Sequence, residues 1–397
     1  MPSYVRVELK RKEEGRLLAG HPWVFANEVD GIPKVLAQGS LVEVITSEGK
    51  PVGRGVANPT SKILIRLLTH GFDRELDAAL IEARVDRALH LREGLKAKAG
   101  TDGLRILFGE ADGLPGVIAD AFGDNLVLSC FSAGMKHFIP DLVAAFQKRG
   151  FKSVYEKSAG ETVQKEGMAE FQGWRTAPGS LPFHFTEGKA RFRVNPEAGQ
   201  KTGFYLDFRE ARRRVFEMSA GRSILDAFAY TGASSIQAAL GGAREVLALE
   251  SSQTALDEGL ENAKLNGVEG KIAFERQDSF KVFRELKKTG RTFDGILLDP
   301  PPLAKSVHEL PAGRSALKRM MGNALDLLNP GGFLIVASCS HHFSWTVLEG
   351  TVREAVEESG RSFHLAERLT QPPDHPMVVA IPETEYLRAL VLTEADF

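Results

Sequence analysis

SILDAFAYTGASSIQAAL, residues 223–240, carries the reading of the whole chain. SILD is a short apolar run that ends in a carboxylate, Asp226. Gly232 lets the backbone turn tightly, and Ser234 or Ser235 can begin the helix SSIQAAL. Strand, tight turn and helix in this order open a βα unit. The pattern then repeats. EVLALE ends in Glu250, KIAFERQD in Asp278, FDGILLD in Asp299, and GFLIVASC in Cys339. Helical stretches such as SQTALDEGLENAKLN and SALKRMMGNALDLLN lie between these strands. Such alternation predicts a mostly parallel sheet with helices on both faces.

Ligands of a doubly wound sheet bind at the carboxyl ends of its strands, which is where these acids fall. One acid alone is an ordinary polar strand end. A row of them in register points to a nucleotide site. Glu250, eighteen residues after Gly232, would accept hydrogen bonds from ribose hydroxyls, and Asp278 would face the adenine amino group. A dinucleotide would need G-x-G-x-x-G so that the backbone can approach its pyrophosphate. The loop here is AFAYTGA, with one glycine among Phe228, Tyr230 and Thr231, and no P-loop occurs. S-adenosylmethionine has ribose and adenine but no phosphate, and its cationic end suits Asp226. It is preferred to NAD, the runner-up.

Asp299 is followed by Pro300, Pro301 and Pro302. Prolines stiffen the chain and would hold Asp299 rigidly at the site mouth. A D-P-P turn there suits methyl transfer to planar nitrogen-containing groups, and Lys305 and Ser306 lie just beyond. Cys339 differs from Cys130, which sits inside the apolar run NLVLSCFSA and reads as a small buried hydrophobe. Cys339 stands where strand becomes loop, ahead of His341 and His342. Adjacent ligands of this kind make poor tetrahedral geometry, so no metal is expected. A methyltransferase needs a cysteine when its target is C5 of a pyrimidine. A thiolate added at C6 turns that weak carbon nucleophile into an enamine. Cys339 as nucleophile, with Asp299 on the N3/N4 edge of cytosine, is the resulting expectation.

The rest of the chain extends this picture. Residues 1–68 read as short strands of a small β-barrel, 73–97 as a helix, and the stretch up to about 186 as strands, a short helix and turns. No repeat or low-complexity segment appears. Fifty basic and 52 acidic residues give a net charge of −2, which excludes a globally basic nucleic-acid binder but not a local patch. Two cysteines exclude a disulfide framework. The first twenty residues are charged and lack the apolar core of a signal peptide, and no apolar run reaches membrane-spanning length. A cytoplasmic protein without a membrane partner is expected.

In order along the chain stand HPWVFANEV (21–29), GEADGLPGVIADAFG (109–123), QKTGFYLDFRE (200–210), FAYTGA (228–233), LDPPP (298–302), SCS (338–340) and DHPMVVAIPETEYL (374–387). Together they resemble the RlmI-type 23S rRNA cytosine-C5 methyltransferases over nearly the whole length. The resemblance implies an N-terminal PUA RNA-binding domain over 1–70, a central α/β domain over 71–187, and a Rossmann-like class I methyltransferase domain over 188–397. It implies that Cys339 is the nucleophile and that Phe204, Asp207, Arg209, Asp226, Tyr230, Thr231, Gly232, Glu250, Asp278 and Asp299 contact the cofactor. Phe208, Pro302 and Leu303 depart from the family's usual Gln, Lys and aromatic residues. Large-subunit ribosomal RNA is the expected partner, with a homodimer among the possible assemblies.

Two basic stretches are candidate phosphate contacts. Residues 1–68 hold ten Lys/Arg against seven Asp/Glu, and 189–214 hold eight against three, including Arg212, Arg213 and Arg214. Trp23 and Phe25 could stack bases, though core packing suits them better. Two further readings stay open: methyl transfer to a base nitrogen by Asp299-Pro300-Pro301, and an RNA-binding or ribosome-assembly protein without catalysis.

Overall fold

The alternation in Leu41–Ile45 buries Val42 and Val44 and leaves Leu41 and Glu43 partly exposed, as a strand with one face on a core requires. Four more short strands join it, Val5–Glu8, Trp23–Phe25, Pro51–Ala57 and Ile63–Leu67. They form one sheet in which the first and second strands are the edges. The Lys10 N–H donates to the Glu28 carbonyl at 2.8 Å and the Asp30 N–H to the Glu8 carbonyl at 2.9 Å. These bonds tie the two edges together into the expected barrel, around Val7, Leu9, Leu17, Val24 and Leu64. The computed structural model describes residues 3–395, the side chains of Ser279 and Phe280 excepted.

A second five-stranded sheet follows, made of Gly103–Phe108, Val117–Phe122, Asn125–Cys130, Ser153–Ser158 and Phe171–Trp174. The sequence reads 73–97 as one helix. The structure has two, Ala78–Arg92 and Leu95–Ala99, parted at Gly94. The stretch from 167 to about 186, turn-rich in sequence, contains the strand Phe171–Trp174 and the start of the hairpin strand Phe183–Glu187. Val56 and Leu68 of the barrel share a core with Leu80, Val85, Leu128 and Phe146 of the central region.

Cα proximity divides the chain into two compact units rather than three segments. Met1–Phe185, Val194–Phe204 and Pro373–Thr384 form the first, and Thr186–Arg193, Tyr205–Pro372 and Glu385–Phe397 the second. The sequence reading gives all of 188–397 to one domain, yet 373–384 packs with the first unit. The reason is polar: the Asp374 carboxylate accepts the Arg105 N–H at 2.9 Å, and its carbonyl accepts Arg92 Nη2 at 2.9 Å.

The second unit is built on seven strands. They are β1 (Ser223–Asp226), β2 (Glu245–Glu250), β3 (Ile272–Arg276), β4 (Phe293–Leu298), β5 (Leu328–Ser338), β6 (Phe363–Thr370) and β7 (Arg388–Glu394). Their order is β3-β2-β1-β4-β5-β7-β6. β7 is antiparallel to both neighbours and the other pairings are parallel. Helices α1 (Arg209–Met218), α2 (Ala233–Leu240) and α3 (Gln253–Leu265) pack in sequence, and α4 (Ser279–Lys288), α5 (Leu310–Leu327) and α6 (Trp345–Ser359) do likewise. Leu225, Leu247, Leu298 and Leu334 share a core with α4, α5 and α6. Strand order reverses between β1 and β4, where such a sheet opens a crevice at its carboxyl edge.

Candidate active site

Asp226 closes β1 at that reversal, and its neighbour across the sheet is Leu297 of β4. The turn after it is held by backbone. The Ala229 N–H donates to the Leu249 carbonyl at 2.9 Å, and the Gly232 N–H to the Ala229 carbonyl at 2.8 Å. Tyr230 (φ 48°) and Gly232 (φ 74°) are both left-handed. A Cβ at residue 232 would stand 2.9 Å from the Phe274 ring, so glycine is required by conformation and by space.

Glu250 is built into the same loop. Its Oε2 accepts the Tyr230 N–H at 3.1 Å, and Oε1 accepts the Ser251 and Ser252 N–H groups at 2.7 and 2.8 Å. Asp226 is buried and accepts the Ser235 hydroxyl at 2.7 Å. Burial pushes its carboxyl up to about 6, against the hydrogen bonds from Ser235 and from the Phe228 and Ser235 N–H groups, and the Glu250 charge adds to the rise. Among the described residues no Lys or Arg pairs with Asp226 or Glu250. Thr231 Oγ1 is buried with no hydrogen-bond partner among the described residues.

These features fit S-adenosylmethionine. A buried hydroxyl without a partner and acids without cations are what a ligand bearing ribose hydroxyls, an ammonium and a sulfonium would satisfy. Phe228, Tyr230 and a single glycine leave no cradle for pyrophosphate. Asp278 lies two residues beyond β3, exposed, with Oδ2 3.4 Å from Lys281 Nζ.

Asp299 follows β4 and Cys339 follows β5, adjacent parallel strands in register at Leu298 and Val336. Both are half-buried. The next residue, Ser340, is buried and donates its hydroxyl to the Ala304 carbonyl, which ties the cysteine loop to the loop that carries Asp299 and the prolines. Cys130 is fully buried, and burial pushes its thiol up to about 12, an inert group as the sequence implies. Among the described residues no His/Cys/Asp/Glu cluster has metal-ligand geometry.

Two residues that sequence reasoning did not single out also belong here. The Tyr205 ring meets the Tyr230 ring edge-on at 5.2 Å and 82°. Burial raises its phenol pKa, and the charges of Tyr230, Asp207, Asp299 and Cys339 raise it further. Tyr386 donates to Asp207 Oδ2 at 2.6 Å, which fixes that buried carboxylate. The motif YLD at 205–207 could have suggested the first; only the fold could supply the second.

The remaining expected residues have partners of their own. Phe204 belongs to the first unit, buried edge-on against Phe185 at 4.8 Å. Arg209 Nε lies 3.5 Å from Glu187 Oε2. Arg212, expected at a phosphate, is buried and grips Glu187 with Nε and Nη2 at 2.6 and 2.7 Å. Arg213 and Arg214 pair with Glu210, Glu217 and Glu367. Trp23 is half-buried and donates to Glu110 at 2.8 Å, in keeping with packing.

Known proteins resemble this chain along its length. Residues 173–392 match the family model of S-adenosylmethionine-dependent methyltransferases, and 7–70 match a PUA-like domain. The ribosomal RNA large subunit methyltransferase I of Cronobacter sakazakii is 35% identical over 97% of this chain and 98% of its own. Its namesake in Salmonella arizonae is 34% identical over 98% and 97%. A solved Streptococcus mutans chain, described as an S-adenosylmethionine-dependent methyltransferase, shares the fold at TM-score 0.82 and 18% identity, covering 98% of this chain and 100% of its own.

Proposed function

Because the chain belongs to the ribosomal RNA large subunit methyltransferase I family of S-adenosylmethionine-dependent enzymes, we propose that it methylates C5 of a cytosine in 23S rRNA through a covalent adduct of Cys339. The observation that carries this is the pair Asp299 and Cys339, leaving neighbouring strands on the edge that also bears Asp226 and Glu250.

Asp226, Glu250 and the loop Tyr230–Thr231–Gly232 would hold the cofactor, with Asp278 at its adenine end. S-adenosylmethionine supplies an electrophilic methyl group. The Cys339 thiolate adds to C6 of the base, and the electron pair moves to C5 as Asp299 holds the N3/N4 edge. C5 takes the methyl group, a base removes the C5 proton, and that electron pair expels the thiolate. The target must leave its stack to reach the thiol, so locally opened RNA is the substrate form. Asp207, oriented by Tyr386, would join these cofactor contacts, as would Phe204 and Arg209. An enzyme of ribosomal RNA would work in the cytoplasm, and a homodimer stays an expectation for a sizing experiment.

The test is transfer of labelled methyl to unmodified large-subunit RNA, read by nucleoside mass spectrometry. Label in 5-methylcytidine is expected. Cys339→Ala should lose at least about 1000-fold in turnover while its cofactor affinity stays within about twofold. Retained activity in that variant would select methyl transfer to nitrogen, and RNA binding without any transfer would select the non-catalytic reading.

A further inference from the structure

Arginines of the first unit commonly meet carboxylates. Arg54 pairs with Glu43 and Glu75, Arg66 with Glu166, Arg92 with Asp112, Arg105 with Asp120 and Arg149 with Asp86. Three beside one another do not. Arg84 and Arg87 lie one turn apart on the helix Ala78–Arg92, and Arg74 precedes it. Among the described residues none of these three forms an ion pair.

Four neighbouring acids are engaged, while Asp73, next to Arg74, forms no ion pair among the described residues. Asp77 caps the helix by accepting the Leu80 N–H at 2.9 Å. Glu82 and Asp86 hold Lys148 and Arg149, and Glu75 holds Arg54 and the Tyr4 hydroxyl.

Arg84 is half-buried and fixed. Its Nη2 donates to the Leu68 carbonyl at 2.5 Å, and its guanidinium crosses Gly113 so closely that a Cβ there would stand 1.5 Å from Nη1. Gly113 is left-handed at φ +72°, so both backbone and space exclude a side chain. Among the described residues Arg84 Nε and Nη1 have no hydrogen-bond partner, and neither atom is fully buried. Burial lowers the Arg84 pKa, the charges of Arg87 and Arg74 lower it further, and no carboxylate opposes them. A half-buried cation facing two like charges is an arrangement that an anion relieves.

We propose that Arg74, Arg84 and Arg87 form a docking site for backbone phosphates of the RNA substrate. The proposal rests on the reading that the substrate is RNA. Within the other basic stretch, 189–214, Arg212, Arg213 and Arg214 already pair with Glu187, Glu210, Glu217 and Glu367. The docking site specifies no sequence, because phosphate contacts fix register and orientation while base contacts discriminate.

The test measures binding of a large-subunit RNA transcript against salt concentration. It compares the wild type, the double variant Arg74→Gln/Arg87→Gln and the triple variant that adds Arg84→Gln. Each lost phosphate contact lowers the slope of log affinity against log salt by about 0.7 to 0.9. The triple variant should therefore lose about 2 to 3 in slope and at least about tenfold in affinity, with cofactor affinity unchanged. Should the Arg84 change impair folding, the exposed double variant carries the test alone, with a loss of about 1.5 in slope. A control of equal charge change, Lys62→Gln/Lys96→Gln/Lys98→Gln, should keep the wild-type slope. An unchanged slope in the arginine variants, or an equal loss in the lysine control, overturns the site. A wild-type protein that binds no RNA overturns the RNA reading as well.

Discussion

Buried acids in the first unit and the buried acid that ends β1 in the second are the same chemical groups in opposite situations. Asp112 takes Arg92 at 2.9 and 2.8 Å. Asp120 takes both Arg105 and the Thr202 hydroxyl. Glu166 takes Arg66 at 3.1 and 2.8 Å, with Asn58 and Ser61 beside it. Burial pushes the Glu166 carboxyl up, yet those partners outweigh it and leave it below the ordinary range. Asp226, more deeply desolvated, has hydroxyl and N–H partners but no cation, and it ends well above that range. Depth of burial and partner type together separate the two. An acid answered by arginine within the protein is part of the frame, and a buried acid left without a cation is suited to a cationic ligand. Glu187 in the second unit follows the first pattern, held by Arg209 and Arg212.

The largest effect should come from breaking a frame pair. Asp120→Ala strands the Arg105 guanidinium in a buried place and should cost about 3–5 kcal/mol, read as the shift in a urea transition. A loss under about 1 kcal/mol would erase the contrast, because frame acids would then matter no more than surface ones.

Asp226 should behave in the opposite sense. Its folded pKa of about 6 exceeds the ordinary 3.8, so the folded state binds the proton more tightly than the unfolded chain does. The penalty is fully present above about pH 6 and is relieved as pH falls towards 4, on the order of 2–3 kcal/mol. The cofactor-free protein should therefore gain stability from this group on acidification, and Asp226→Asn should flatten that part of the profile. Cofactor affinity should move the other way, weakening as pH drops through about 6 and the carboxylate loses its charge. At pH 8 Asp226→Asn should cost at least tenfold in cofactor affinity, about 1.4 kcal/mol, by calorimetry. A variant that binds the cofactor normally but unfolds early would place Asp226 with the frame acids.

How far the sequence could reach follows the same division. Strand ends are local, so Asp226, Glu250, Asp299 and Cys339 could be placed by periodicity and turn chemistry. Partners are not local. Asp374 meets the Arg105 N–H across 269 residues, which no spacing reveals. The strand Phe363–Thr370 escapes notice because it is an edge strand, with His364, Leu365 and Glu367 among residues that give it no clean apolar alternation. The unsatisfied Thr231 hydroxyl and the Tyr205–Tyr230 contact exist only once the loop is folded. Charge counting fails for 189–214 for the same reason. It registers eight basic residues but not that Glu187 has taken Arg209 and Arg212.

Arg213 offers the smallest and most discriminating effect. It lies on the exposed part of α1 and pairs with Glu210 at 3.1 Å and Glu217 at 2.6 Å, three and four residues away. Pairs of this kind contribute only about 0.3–0.5 kcal/mol, since water and salt screen them and both side chains lose rotamer freedom. Arg213→Gln should therefore shift the urea transition by no more than that. If pairing state decides which arginines meet phosphate, the same variant should leave RNA affinity within about twofold and its salt slope within about 0.3 of wild type. A slope loss near 0.9 would mean that RNA draws Arg213 off its glutamates, and internal pairing would no longer separate frame from contact.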